Sequence, residues 1–222
     1  MLSCRAIAKT YRTERGEVAA VDDIDLDIEA GQFAAIIGRS GSGKSTLMAM
    51  IGALSRPSRG QVTVDGTDVW RLSEKERASF RNLKIGYVFQ FASLLPTLRV
   101  IDNVALPALL ARRQPAAEAY GKAGRLLEQM GLADHVAAYP SEISAGEQRR
   151  AAIARALIND PAIVLADEPT SDLDEHTELE IMDELLAVNR ERKATLLLVT
   201  HNLALAEQAR QIVHIADGRV VP

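Results

Sequence analysis

An α/β fold, with a mainly parallel sheet and a lobe of helices inserted into it, is predicted by three features of the chain. Phe33–Ile37, 162–166 and 195–200 are short, largely apolar runs, the length and content of strands buried on both faces. A glycine-rich turn from Gly38 to Gly43 joins the first run to an apolar stretch, 47–51, that reads as the start of a buried helix. From about 91 to 159 the pattern turns helical, over 100–113, 116–130 and 147–158. At 222 residues the chain can hold one large domain, so the expected division is a single unit. Residues 1–90 and 160–222 form its core and 91–159 its helical lobe.

Taken in order, residues 2–8 read as a first strand. Tyr11 follows it and either packs or stacks on a base. Residues 21–28 alternate apolar and acidic side chains, the pattern of a half-exposed strand. Residues 29–32 turn into the run Phe33–Ile37. After a break at Pro57 and Gly60, 61–66 reads as strand and turn. Residues 85–90 are another short apolar run, ending in the amide of Gln90, either a strand terminus or a group that reaches a metal. Pro96, Pro107, Pro115 and Pro140 punctuate the helical region, and Gly121 and Gly124 weaken its middle helix. Leu179, Met182, Leu185 and Leu186 recur at helical spacing as a packed stripe. The run after Thr195 ends in His201. Residues 212–215 with 217–219 close the chain as strand and turn, and His135, His176 and His214 have no setting that gives them a role.

Gly38, Arg39, Ser40, Gly41, Ser42, Gly43, Lys44, Ser45 and Thr46 fit the phosphate-binding pattern of Gly, four residues, Gly, Lys, Ser/Thr. The strand before it and the helix after it give the pattern its meaning. Glycines let the backbone aim several N–H groups at one point, and a helix N-terminus adds a positive dipole there. Lys44 is placed to reach the β- and γ-phosphates, Ser45 to hold Mg²⁺ and Thr46 to donate to the α-phosphate. The run 162–166 delivers Asp167 and Glu168 at its C-terminal end, where α/β sheets place ligands. Asp167 suits Mg²⁺. Glu168, turned the other way by strand alternation, suits orienting and deprotonating a water. His201, at the end of a neighbouring core strand, suits contact with the γ-phosphate. Together these features imply a nucleoside triphosphate site.

Residues 143–150, Ile-Ser-Ala-Gly-Glu-Gln-Arg-Arg, separate one class of such proteins from another. Ser144 and Glu147 fit a capping box that starts a helix, and a helix N-terminus with a small-residue entry is a second anion site. This segment resembles the signature motif of ATP-binding-cassette (ABC) ATPases, commonly Leu-Ser-Gly-Gly-Gln or, in some members, Leu-Ser-Gly-Gly-Glu. The whole chain resembles that family in motif order. Gly38 to Thr46 match the Walker A loop, Gln90 the Q-loop, Asp167 and Glu168 the Walker B pair, and Ser171 to Asp174 the D-loop. His201 matches the switch histidine and Tyr11 the adenine-stacking aromatic. Residues 88–91, 94–96, 103–107 and 166–170 look like the lipoprotein-release (LolD-like), macrolide-export (MacB-like) and cell-division (FtsE-like) branch. The chain departs from the family pattern at Ala145, in place of the first signature glycine, and at Asn202, where Asp often follows the histidine. The Ala145 methyl is expected to crowd the γ-phosphate, or to exclude a positive φ.

The resemblance implies a P-loop NTPase: a RecA-like core with a mainly parallel sheet, an N-terminal antiparallel β subdomain and an inserted α-helical subdomain. It implies ATP and Mg²⁺ as ligands, and catalysis by Glu168, His201 and Gln90. It implies nucleotide contacts from Tyr11, from Gly38 and Ser40 to Thr46, and from Ser144, Ala145, Gly146, Glu147 and Asp174. Ser45, Gln90 and Asp167 are implied for the metal. It further implies a head-to-tail dimer of this chain with itself, each ATP lying between Lys44 of one copy and 144–146 of the other. Transmembrane permease subunits would dock on the lobe after Gln90, with Phe91, Ala92, Ser93, Leu94 and Leu95 as the candidate surface. The activity implied is ATP hydrolysis driving export or extraction of a hydrophobic or lipid-linked cargo. The alternative is a regulatory ATPase that transmits ATP state through a membrane partner without transport.

Composition narrows the field. Net charge is −4 with both signs interspersed, so there is no basic face for nucleic acid. No apolar run approaches the about 18 residues needed to cross a bilayer. No secretory leader is evident, and Cys4 is the single cysteine, so no internal disulfide forms. The expected location is the cytoplasm, at the inner face of the membrane through the permease.

Overall fold

The apolar and acidic alternation of 21–28 belongs to a hairpin much longer than the two short runs read from the sequence. In the computed structural model, which describes residues 1–14 and 16–221, β1 (Leu2–Thr13) pairs antiparallel with β2 (Gly16–Ile28) from Leu2↔Ile28 to Thr13↔Gly16. Tyr11 therefore lies within β1, opposite Val18, and not beyond its end. The chain continues through β3 (Phe33–Ile37) and α1 (Lys44–Ile51). It returns as β4 (Arg59–Val64) on the free edge of β1, followed by the short β5 (Thr67–Asp68). This gives a four-stranded antiparallel sheet, β2-β1-β4-β5.

Next come α2 (Glu74–Lys84) and β6 (Ile85–Val88). Ser73 opens α2 with a capping box to Glu76, a signal present in the sequence, yet α2 buries no side chain and so lacks the apolar stripe that announces a helix. The lobe holds α3 (Val100–Ala111), α4 (Ala116–Gln129) and α5 (Ala145–Leu157). Pro107 lies inside α3 and does not end it. It removes one helical N–H, while Asn82 Nδ2 from α2 bonds the Pro107 carbonyl at 2.9 Å. Gly121 and Gly124 likewise sit inside α4, where Ala119, Ala123, Leu126 and Leu127 supply the buried face that outweighs them.

The remaining elements are β7 (Ile163–Asp167), α6 (Glu175–Arg192), β8 (Thr195–Val199), α7 (Leu203–Ala206), β9 (Gln211–Ala216) and β10 (Arg219–Val221). They complete a six-stranded sheet ordered β10-β9-β3-β8-β7-β6, parallel except for β10 at its edge. Strand alternation divides most of the core between two clusters, one on each face, with a small third at Ala35, Ile37 and Ala206. Val164, Ala166, Leu196 and Leu198 face the helical lobe and α6, packing with Val104, Leu127, Ile153 and Leu185. Leu165, Leu197 and Val199 face α1 and the antiparallel sheet, packing with Met48, Ile51, Ile24 and Val62. Each fully buried aliphatic side chain contributes about 1.5–3 kcal/mol, so the sheet is held by packing on both faces. In α6 the buried stripe is Ile181, Met182, Leu185, Leu186 and Val188. Leu179, expected in that stripe, is 53% exposed, because the turn of the helix that reaches the core passes through Ile181.

Candidate active site

The strand order places three chain ends side by side. β3 leads into the phosphate loop, β8 toward His201 and β7 into Asp167, with β8 between the other two. Ile36 and Asp167 both pair with Val199. Thr200 N donates to Ile36 O at 3.2 Å and Glu168 N to Val199 O at 2.9 Å, so the three strands are knitted to their ends. Neighbouring strands lie about 4.8 Å apart, which puts the loop and the carboxylates within roughly 10 Å along the sheet edge.

The loop is built for close approach of backbone. A Cβ on Gly38 would sit 2.2 Å from Ile215 O, and one on Gly43, whose φ is +105°, 2.2 Å from Ala20 O. Glycine is therefore required at both by space, and at Gly43 also by conformation. Gly43 occupies the N-cap of α1 and has no side chain to cap it. The first intrahelical bond runs from Leu47 N to Gly43 O at 2.9 Å, so the N–H groups of Lys44, Ser45 and Thr46 precede the helical ladder. Lys44 is buried, and its Nζ donates to Gly38 O at 2.8 Å and Arg39 O at 3.1 Å, so the ammonium is held over its own loop. Ser40, Gly41 and Ser45 are exposed at the loop, Thr46 is half-buried, and Ser42 Oγ is buried without a partner among the described residues. Ala20, whose carbonyl abuts Gly43, is two residues along β2 from Val18, the partner of Tyr11. The Tyr11 side chain is exposed, with Lys9 Nζ 5.2 Å from its ring centroid.

Asp167 Oδ1 is buried and has no hydrogen-bond partner among the described residues. Burial pushes the Asp167 carboxyl above its ordinary range, opposed by a hydrogen bond from Ser45 and by the charge of Lys44. An orphaned buried carboxylate oxygen beside a serine hydroxyl is a donor set that fits a hard divalent cation. Glu168 departs from strand alternation. β7 ends at Asp167, and Glu168 is left-handed at φ +46°, a conformation costly for a non-glycine residue, which turns its side chain to His201. Its Oε2 is 2.8 Å from His201 Nδ1. His201 itself lies two residues past the end of β8.

Gln90 lies two residues beyond β6, with its side chain exposed and without a hydrogen bond among the described residues. Its backbone is held instead. Arg149, buried on α5, donates Nη1 to Phe89 O at 2.7 Å and also to Gln90 O. Burial pushes the Arg149 guanidinium below its ordinary range. Arg155, further along the same helix, donates to Ser93 O and Ala92 O at 2.7 and 2.9 Å. Asn103, fully buried, bonds Leu95 N, Leu95 O, Leu98 O and Arg99 O at 2.7–3.1 Å. These three residues fix the segment after Gln90. Their sequence signal, a charge or amide inside an otherwise apolar helical stripe, names no target.

Ser144 caps α5 through the predicted box. Glu147 N donates to Ser144 Oγ at 3.3 Å, and Glu147 Oε2 accepts from Ser144 N at 2.7 Å. The N–H and hydroxyl of Ser144 hold the Glu147 carboxyl below its ordinary range. Asp174 caps α6, accepting from Thr177 Oγ1 at 2.6 Å and Thr177 N at 3.1 Å. Ser144, Ala145, Gly146, Glu147 and Asp174 line one crevice of about 320 Å³, with no residue of 38–46 on its walls. One copy therefore does not bring the two anion sites together. Ala145 is the exposed first residue of α5 and has no positive φ, so the conformational objection to alanine there does not arise. In the segment 91–95, Phe91 and Leu95 are exposed by 66% and 45%, whereas Leu94 is partly buried against the lobe's core.

A phosphate loop on a parallel sheet, a buried carboxylate beside its serine and a glutamate–histidine pair at the same edge define a P-loop nucleotide hydrolase. The sequence profile of the ABC transporter family matches residues 21–171, and the chain belongs to that family. It is 41% identical over 221 residues to the lipoprotein-releasing system ATP-binding protein LolD of Pseudomonas fluorescens, covering all of this chain and 97% of that one. LolD of Syntrophus aciditrophicus is 42% identical, with 100% and 99% covered. The macrolide export ATP-binding/permease protein MacB of Syntrophobacter fumaroxidans is 43% identical, matched along all of this chain and 31% of its own length. Among solved structures, a dimeric ATP-binding cassette in a post-hydrolysis state, bound to ADP and phosphate, superposes with a TM-score of 0.93. It is 36% identical and covers 100% of this chain and 97% of its own. The protein is an ATPase of the ABC type, with the P-loop fold expected of it. Among the described residues no helix is long and apolar enough to cross a membrane.

Proposed function

We propose that this chain works at the cytoplasmic face of a membrane, as the ATPase of a complex that exports or extracts a hydrophobic or lipid-linked cargo. The observation that carries the reading is the separation of its two anion sites: the loop and Glu168–His201 share one sheet edge, while residues 144–146 open with Asp174 into a crevice elsewhere. Two copies arranged head to tail make each site whole, with Ser144, Ala145, Gly146, Glu147 and Asp174 of one copy facing the γ-phosphate held by the other. The backbone N–H groups from Gly41 to Thr46 bind the phosphates, Gly38 and Ser40 shape the loop, Lys44 spans the β- and γ-phosphates and Tyr11 stacks on adenine. Ser45, Asp167 and Gln90 are the residues to hold Mg²⁺, which when bound neutralises charge on the β- and γ-phosphate oxygens. Glu168 takes the proton of the attacking water, and His201, bonded to Glu168 before nucleotide arrives, turns to the γ-phosphate.

The partner surface lies on the lobe after Gln90. Phe91 and Leu95 are exposed, and Ser93 between them lines a groove of about 640 Å³ between α2, α3 and α5, whose walls include Leu54, Phe89 and Leu110. Leu110 is 67% exposed. Exposed apolar side chains around a groove suit an amphipathic helix of a permease. The test is affinity purification of tagged Glu168→Gln protein from solubilised membranes with ATP and Mg²⁺. A multi-spanning membrane subunit is expected to co-purify, and Leu110→Glu is expected to abolish its recovery while ATP hydrolysis by the isolated cassette stays within about twofold. Recovery of no membrane protein contradicts the reading. At the signature, Ala145→Gly removes a methyl from an exposed helix start, so turnover is expected to be preserved or raised at a helix cost of about 1 kcal/mol. A large loss of phosphate release would show that the site has adapted to the methyl.

A further inference from the structure

We propose that Glu178 is a positioning residue for the Glu168–His201 pair, and that its action depends on residue 202 being asparagine. The proposal deepens the roles given above to Glu168 and His201 and rests on them. Glu178, in the first turn of α6, ties together the two chain segments that carry the pair. Thr170 Oγ1, buried and two residues past Glu168, donates to Glu178 Oε1 at 2.7 Å. Asn202 Nδ2, one residue past His201, donates to Glu178 Oε2 at 3.3 Å. With the Glu168 Oε2–His201 Nδ1 contact of 2.8 Å, the five residues close a ring. Both reactive residues need such support. Glu168 is held left-handed before Pro169, and the His201 side chain is 72% exposed with Glu168 as its one polar partner among the described residues.

Asparagine at 202 is what the ring requires. Its Oδ1 accepts from Ala204 N at 3.0 Å and Leu205 N at 3.4 Å, capping α7, and its backbone N–H bonds Thr200 Oγ1 at 3.0 Å. With the oxygen committed to the cap, the amide nitrogen faces the Glu178 carboxylate as a donor. An aspartate would keep the cap but set a second carboxylate oxygen against Glu178 Oε2 at that 3.3 Å separation. The departure at 202 and the carboxylate at 178 are thus one device, joining residues that are 24 apart in sequence.

A polarity swap tests this. Asn202→Asp is expected to lower kcat for ATP about tenfold with KM within about twofold, because the reactive pair is displaced and not the nucleotide site. Glu178→Gln with Asn202→Asp is expected to restore kcat to within about twofold: the amide introduced at 178 then donates to the carboxylate introduced at 202, while its carbonyl accepts from Thr170. Imidazole NMR of the nucleotide-free protein reads His201 directly, its signal assigned with His201→Ala. The signal is expected to move in Asn202→Asp and return in the double variant. This readout does not use hydrolysis, so it stands if the assignment of Glu168 as base fails. Wild-type kcat in Asn202→Asp, or a double variant no faster than the single, overturns the proposal. So does recovery of melting temperature in the double variant without recovery of kcat and of the His201 signal. If Asn202→Asp alone does not fold, the double variant decides: near-wild-type turnover supports the ring, and turnover below about a tenth overturns it.

Discussion

Glu168→Gln is expected to lower steady-state ATP turnover at least about 100-fold while leaving nucleotide affinity near that of the parent, the range general-base removal produces. The substitution preserves shape, and an amide can still meet His201 Nδ1, so the left-handed turn at 168 and the 2.8 Å contact have no reason to rearrange. What is lost is the carboxylate that accepts the water's proton. The phosphate loop, Lys44 and the Ser45–Asp167 pair are untouched, so ATP still binds. In the proposed head-to-tail arrangement the γ-phosphate joins the two copies and hydrolysis removes that join, so the variant with ATP and Mg²⁺ is expected to accumulate as a dimer, and the parent to elute mainly as monomer after turnover. Phosphate-release kinetics and size-exclusion chromatography with light scattering check the two halves of the expectation. Parent-like hydrolysis would remove Glu168 as the base. A slow variant that stays monomeric with ATP would instead count against the shared site.

The parts of this site that were legible in the sequence are those whose chemistry is contiguous. The loop from Gly38 to Thr46 and the pair Asp167–Glu168 can be read because one local turn or strand end sets their geometry, and the strand–loop–helix context is visible in the apolar runs around them. The capping box of Ser144 and Glu147 is local in the same way, and it forms. Legibility fails where tertiary contacts decide. Alternation is silent on the left-handed turn at Glu168, φ +46°, where the Glu168 N–H bonds Val199 O and Thr170, two residues on, bonds Glu178. The α2 helix has a cap but no buried residue, so periodicity is silent there. Arg149 and Asn202 act on backbone and side chains tens of residues away. No pattern in one sequence pairs Arg149 with Phe89, or Asn202 with Glu178.

Lys44→Ala is expected to weaken ATP binding about 30- to 1,000-fold, the equivalent of about 2–4 kcal/mol for losing a buried, charge-assisted phosphate contact. Lys44 is 6% exposed, so its ammonium meets phosphate in a setting poor in water, where screening is weak. It is also pre-positioned. Bonds to Gly38 O and Arg39 O hold Nζ above the loop, so little side-chain entropy remains to be lost when nucleotide arrives. The same bonds mean the truncation strips donors from two carbonyls of the loop, and part of the loss comes from a loosened loop. Lys44→Met separates the two contributions. It keeps the buried stem but no donor, so it isolates the charge and hydrogen bonds from the packing. If both variants lose affinity equally by calorimetry, the ammonium accounts for the effect. If Lys44→Met binds markedly better than Lys44→Ala, packing of the stem shares it. Binding of ATP by Lys44→Ala as tight as the parent's would refute the phosphate-loop reading itself, since no other cation in the loop is buried against its backbone in this way.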